Sequence, residues 1–169
     1  DLVVNSQEIT MSFIEITGCT TSELKEQVVL LLVEQMLIVK GRDEKSAPSK
    51  DDLQGHVMKA MDHILDETSP AHLFALVEKD RALAVSLVNM ACGVESGGKY
   101  LWLNEIYVPP EARRKGLGKQ MATHIIEWAR KNDCRYMAGI IWEANSASQG
   151  LFKKCGSDVE QVLWLDRTL

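Results

Sequence analysis

The sequence predicts an α/β protein built on a mixed, mostly antiparallel sheet. Three observations carry that reading. Three β-prone runs, Leu73–Val77, Leu83–Val94 and Tyr100–Val108, follow one another with only short polar turns between them, as a meander does. An amphipathic stretch then links the last of these to a further apolar run, Arg135–Trp142, which is the pattern of a parallel strand–helix–strand crossover. Two helical segments precede the meander and follow a single early strand.

Taken in order, Met11 to Ile16 alternates loosely and reads as the first strand. Thr20-Thr21-Ser22-Glu23 offers a capping box for a helix from about Ser22 to Lys40. Apolar residues nearly encircle the middle of that helix, so packing on more than one side is expected. Residues 41–50 are polar and read as a loop. Ser49-Lys50-Asp51-Asp52 opens a second helix to about Glu67, with Leu53, Val57, Met61, Ile64 and Leu65 on one face. Ser69-Pro70 ends it. Glu78–Arg81 and Glu95–Lys99 are the turns of the meander. Pro109-Pro110 stops the third strand, since proline has no donor for a ladder. Leu117, Met121, Ile125 and Trp128 recur at helical spacing up to Lys131. Arg135 to Trp142 is almost wholly apolar, as a strand buried on both faces would be. A short helix from about Ser146 to Lys154 and a last strand, Val159 to Leu165, complete the pattern. The whole length, residues 1–169, is expected to be one domain.

Composition narrows the function classes. A net charge of −5 argues against a nucleic-acid binder held by phosphate contacts. No stretch reaches the roughly 20 apolar residues of a membrane span, so no membrane partner is expected. Cys19, Cys92, Cys134 and Cys155 are widely spaced, which fits reduced thiols better than disulfides or zinc, and the start shows no signal-peptide pattern. A cytoplasmic protein is the expectation. His56 and His63 stand seven apart with Asp62 and Asp66 nearby, but a solvated helix face explains them, and no metal is expected. His124 lies opposite the apolar stripe of its helix and reads as exposed.

Chemistry concentrates in Arg113-Arg114-Lys115-Gly116-Leu117-Gly118-Lys119. This loop opens a helix, whose first turn has unpaired N–H groups and the positive end of the dipole. Two glycines let backbone approach a ligand, and four cations surround them. That is an anion site, best suited to phosphate or pyrophosphate. It is no P-loop, because Gln120 follows Gly118-Lys119 where a magnesium-binding hydroxyl is needed, and it lacks the third glycine of a dinucleotide fingerprint.

A strand ending Val108-Pro109, then Arg113-x-x-Gly116-x-Gly118, resembles the acyl-coenzyme A loop of the GNAT superfamily of N-acetyltransferases, whose pattern reads Arg/Gln-x-x-Gly-x-Gly/Ala. The later segment Asn145-Ser146-Ala147-Ser148-Gln149-Gly150-Leu151-Phe152-Lys153-Lys154-Cys155-Gly156 is similar to the family's Asn-x-x-Ala-x-x-Leu-Tyr-x-x-x-Gly, with Ser148 for alanine and Phe152 for tyrosine. The likeness is close over Tyr100–Gly156, loose over Leu73–Lys99, and one of general shape before that.

The resemblance implies a GNAT-like fold with helices on both faces of the sheet, and acetyl-CoA as co-substrate without a metal. The backbone of Ile106, Tyr107 and Val108 would hold the pantetheine arm where two strands splay. Arg113, Arg114, Lys115, Gly116, Leu117, Gly118 and Lys119 would cradle the pyrophosphate, and Asn145 and Phe152 would line the thiol end. Glu105 would be the catalytic base, against a solvent-facing or ion-paired role. Strict alternation would put Leu103, Glu105 and Tyr107 on one side of the strand, unless a bulge intervenes. Phe152 cannot donate the proton that the family's tyrosine supplies; Tyr107 and Tyr136 are alternatives, as are core or rim positions for both. The acceptor would be a primary amine of a small molecule such as a polyamine or aminoglycoside, with a peptide or protein amine next. An acyl-CoA sensor with little or no transfer is the other class. A homodimer through Val159–Leu165 is the expected assembly.

Overall fold

The computed structural model describes residues 11–40 and 49–161. Five strands form one sheet in sequential order: β1 (Ser12–Ile16), β2 (Ala71–Glu78), β3 (Arg81–Gly93), β4 (Gly98–Tyr107) and β5 (Tyr136–Gly139). The first four pair antiparallel; β4 and β5 pair parallel. Helices α1 (Ser22–Lys40) and α2 (Lys50–Ile64) connect β1 to β2. Helix α3 (Leu117–Lys131) makes the crossover from β4 to β5, and α4 (Ser146–Lys154) follows β5. The mixed sheet predicted from sequence is therefore present, and three of the four helices have the bounds expected from residue spacing.

Local chemistry explains the joints. Lys79 and Asp80 both have positive φ, 48° and 62°, so the β2–β3 turn is the two-residue kind whose twist suits a hairpin. The Gln27 side chain buckles this turn to α1, donating to the Asp80 carbonyl at 3.0 Å and accepting from the Ala82 amide at 2.9 Å. Ser49 and Asp52 form a capping box at α2, whereas at α1 it is the Thr21 hydroxyl that accepts from the Leu24 amide, not the expected Thr20–Glu23 pair.

The sheet has a core on each face. Val28, Leu31, Leu32 and Val33 of α1 and Leu53, Val57 and Met61 of α2 cover Leu73, Ala75, Val85 and Tyr107. Leu117, Met121, Ile125 and Ala129 of α3 cover the other face, on Phe74, Leu76, Val88 and Leu101. Phe74 is buried in an aromatic cluster, stacked on Phe13 at 4.8 Å and edge-on to Trp128 at 5.1 Å.

Helix α1 packs on more than one side, on the sheet and on α2, as expected, although Leu30, Leu37 and Ile38 are exposed. Two expectations need correction. Strand β5 is four residues long, with Tyr136 exposed, and Ile140 and Trp142, which follow it, are exposed as well. Among the described residues it is an edge strand whose apolar run outlasts its pairing. His124 is half-buried and stacks on Phe13 at 4.8 Å. Of the expected last strand, 159–161 have no strand pairing and 162–165 lie outside the described residues.

Candidate active site

The parallel ladder between β4 and β5 runs from Tyr100–Tyr136 to Leu103–Gly139 and stops there, although β4 continues to Tyr107. At that point the strands are at closest approach. A Cβ on Gly139 would stand 2.9 Å from the Leu103 carbonyl oxygen, which no side chain tolerates. Beyond it, the edge of β4 that faced β5 has no strand beside it among the described residues.

A bulge accompanies the parting. Leu87 pairs with Glu105 but Val88 pairs with Leu103, so Asn104 is the extra residue. Asn104 is exposed and its Oδ1 accepts from Asn89 Nδ2. The strict alternation of Leu103 with Glu105 and Tyr107 is thereby corrected. Leu103 packs with Ile106 and Val108 against the α3 side, while Glu105 and Tyr107 turn to the α1 side. The buried Ser86 hydroxyl fixes the bulged segment by donating to the Glu105 carbonyl oxygen at 2.6 Å.

Helix α3 begins beside the end of β4. A one-turn 3-10 helix, Pro110–Ala112, turns the chain, and Arg114 and Gly116 take positive φ of 64° and 80°. Gly116 is the N-cap and provides no side-chain hydrogen bond. The first bond of the helix joins the Gln120 amide to the Gly116 carbonyl, so the amides of Leu117, Gly118 and Lys119 precede the ladder. A Cβ on Gly116 would meet nothing within 4 Å; one on Gly118 would lie against Leu151 at 3.5 Å and Val108 at 3.9 Å. The first glycine is needed for its backbone angle. The second faces inward, where a methyl group makes ordinary contact. Leu117 is buried and Arg114, Lys115 and Lys119 are exposed or half-exposed around this open backbone. Open amides, three cations and no cap make a fit for a pyrophosphate. Arg113 is engaged elsewhere. Its Nε donates to the Val108 carbonyl at 2.9 Å, and its guanidinium lies 6.0 Å from the Tyr107 ring centre, tying loop to strand.

Glu105 is half-buried, and burial pushes its carboxyl above the ordinary carboxylate range; the Gln35 amide, donating Nε2–H to Oε2, opposes this. The Tyr107 hydroxyl donates to Glu34 Oε2 at 3.4 Å, and burial together with that carboxylate raises its pKa. Glu34 and Gln35 were not singled out by the sequence. Their one signal is that they interrupt the apolar run of α1.

Asn145 caps α4, its Oδ1 accepting from the Ser148 amide at 3.1 Å. Phe152 is buried. Lys154 and Lys119 share a groove of about 170 Å³ with Thr123, Glu127, Arg130 and Cys155, so α4 brings cationic charge towards the α3 loop. Tyr136 is exposed, its ring 6.4 Å from that of Tyr100. His56 Nδ1 pairs with the Asp52 carbonyl oxygen on the exposed face of α2, and His72 Nδ1 with Glu15 at 2.6 Å on the sheet. Among the described residues no group of three or more His, Cys, Asp or Glu is placed to hold a metal ion, and no helix is long and apolar enough to cross a membrane.

Comparison with solved structures finds the same fold at low identity. An aminoglycoside N-acetyltransferase AAC(6')-Iy in complex with CoA aligns at TM-score 0.70 and 18% identity over 97% of this chain and 99% of that one. A transcriptional regulator from Bacillus halodurans C-125 gives 0.74 and 16% over 94% and 100%. The aminoglycoside acetyltransferase meta-AAC0020 from an uncultured soil metagenomic sample, in complex with sisomicin, gives 0.67 and 14% over 94% and 96%. Comparison with curated proteins finds no match. The family model described as "Acetyltransferase (GNAT) family" matches residues 42–157, a span that holds the bulged strand, the glycine loop and α4. The chain belongs to the GNAT acetyltransferase family.

Proposed function

We propose that this chain is an N-acetyltransferase that moves an acetyl group from acetyl-CoA directly to a primary amine of a small cationic molecule. The observation that carries the reading is the parting of β4 from β5 at Leu103–Gly139, beside the open amides at the start of α3 and next to a half-buried Glu105. The backbone of Ile106, Tyr107 and Val108 would hold the pantetheine arm in that gap. The amides from Gly116 to Lys119, with Arg114, Lys115 and Lys119, would hold the pyrophosphate. Arg113 would act by fixing loop to strand.

In the reaction, the amine nitrogen bonds to the thioester carbonyl carbon, the carbon–sulfur bond breaks, and the amine proton passes to Glu105. A backbone N–H near the end of β4 would stabilise the developing oxyanion. The departing thiolate takes its proton from solvent; a free thiol has a pKa of about 8.5, so it leaves without a dedicated acid. A half-buried carboxyl whose pKa is raised holds a proton more readily than an ordinary carboxylate does, which suits a base. Glu34 and Glu105 together offer negative charge on the α1 side of β4, which favours a cationic acceptor.

Isothermal titration with acetyl-CoA tests the reading. Wild type is expected to bind, and the Lys115→Glu/Lys119→Glu variant to bind at least tenfold more weakly. Equal binding by both, or none by either, would remove the pyrophosphate site and the enzyme reading with it. A second reading, an acyl-CoA sensor without efficient transfer, is favoured by one observation: Phe152 is buried and carries no hydroxyl. A screen of amines with thiol detection separates the two, since a sensor binds acetyl-CoA and releases no thiol above the background rate.

A further inference from the structure

We propose that Gln35 is a positioning residue that holds Glu105 in both of its protonation states, presenting one end of its amide to the carboxylate and the other to the carboxylic acid. The inference rests on the reading of Glu105 as the group that takes the amine proton. Two observations carry it. Gln35 Nε2 donates to Glu105 Oε2 across 70 residues of sequence, from α1 to the bulged end of β4. Gln35 Oε1 is buried and accepts no hydrogen bond from the described residues. A buried amide oxygen without a donor is costly, and native proteins rarely leave one.

A carboxylate is acceptor only, so the NH₂ end of the amide suits it. Once protonated, the carboxyl gains one O–H donor. A half-turn about the last side-chain bond of Gln35 then exchanges Oε1 and Nε2, so the oxygen gains the carboxyl O–H as donor and the NH₂ takes the oxygen's former place. The two ends are nearly the same size, and such terminal torsions are roughly two-fold. Each state of Glu105 thus has a matching amide orientation, with no change in packing. The proton leaves the amine nitrogen for a Glu105 oxygen and passes later to water.

The other nearby groups are occupied elsewhere. From α1, Glu34 faces the Tyr107 hydroxyl; from β3, Ser86 bonds the Glu105 backbone and not its carboxyl; Arg113 lies over the Tyr107 ring. Burial and the Gln35 amide are the influences that act on the Glu105 carboxyl.

The test uses the full chain with ¹³C-labelled glutamate, the Glu105 carboxyl signal being assigned by its loss in Glu105→Gln. Gln35→Leu removes both ends of the amide and is expected to raise the Glu105 midpoint by about one pH unit; Gln35→Lys supplies donors only and is expected to lower it by about as much. In wild type, the Gln35 side-chain ¹⁵N signal is expected to titrate with the Glu105 midpoint. A midpoint that both variants leave unchanged, or a Gln35 signal that does not follow Glu105, overturns the proposal. The acid limb of kcat/KM for acetyl transfer should move with the same shifts. Midpoints that move while that limb stays still support the Gln35–Glu105 coupling and remove Glu105 as the base, a failure that belongs to the proposed mechanism and not to Gln35.

Discussion

The glycine loop can be tested by making one change twice, two residues apart. Gly116→Ala and Gly118→Ala each add a methyl group to the same turn, yet the backbone gives them opposite signs. Gly116 sits at φ +80° with open space where its Cβ would go, so only conformation opposes alanine there. An L-residue in that left-handed region loses about 1–2 kcal/mol. The stiffer unfolded chain returns about 0.4–1 kcal/mol. The net is a loss of roughly 1 kcal/mol. Gly118 is helical, and its new Cβ would make ordinary contact with Leu151 and Val108 at 3.5 and 3.9 Å. Only the gain of about 0.4–1 kcal/mol remains there. The variants should therefore differ by about 1–2 kcal/mol, or roughly 2–8 °C in Tm for a chain of this size. Urea unfolding measures the difference, and titration with acetyl-CoA tests the site. Gly118→Ala should bind like wild type. Gly116→Ala should bind about fivefold more weakly, because restoring the cradle then costs about 1 kcal/mol. Equal effects, or a Gly118→Ala more damaging than Gly116→Ala, would refute the geometric argument.

Four further outcomes are expected. Glu105→Gln should lower kcat by about 10²–10⁴-fold while leaving acetyl-CoA affinity intact, the range for a positioned base, measured by thiol release. The same variant should be more stable than wild type at high pH: burial raises the folded pKa of Glu105, so the folded state holds its proton more tightly and wild-type stability falls as pH climbs from the unfolded to the folded pKa. Urea midpoints taken at several pH values would show the two proteins converging in acid. Gly139→Ala forces the Leu103 backbone away from β5 and should cost about 1–3 kcal/mol, with a matching loss of turnover; wild-type stability in this variant would show that the strands part without being locked together first. Phe74→Ala should cost about 3–5 kcal/mol in urea unfolding, since the ring is buried against Phe13 and Trp128.

Most of the architecture was legible because its signals are local. Spacing of Leu117, Met121 and Ile125 set the bounds of α3, and Ser49-Lys50-Asp51-Asp52 marked the start of α2. The failures share a cause, which is dependence on distant neighbours. Ile140 and Trp142 look like strand residues, but no strand is placed beyond Gly139 to cover them among the described residues. His124 looks solvated on its own helix and is covered by Phe13 from β1. The side to which Glu105 points depends on an insertion opposite Leu87 and Val88, which no alternation within β4 reveals. Gln35 approaches it only because α1 lies across the end of β4, and 70 residues of sequence separate the two.

The parting of β4 from β5 leaves, among the described residues, a length of β4 edge with no partner strand. An uncovered strand edge is a template for another chain, and natural sheets blunt such edges with bulges, charge and proline. All three occur here: the kink at Asn104, the carboxylate of Glu105, and Pro109-Pro110 directly after the strand. The features proposed to receive an extended ligand would therefore also discourage self-association. A variant that straightened the strand by deleting Asn104 would forfeit both at once, turning the proposed groove into a flat edge open to a second copy.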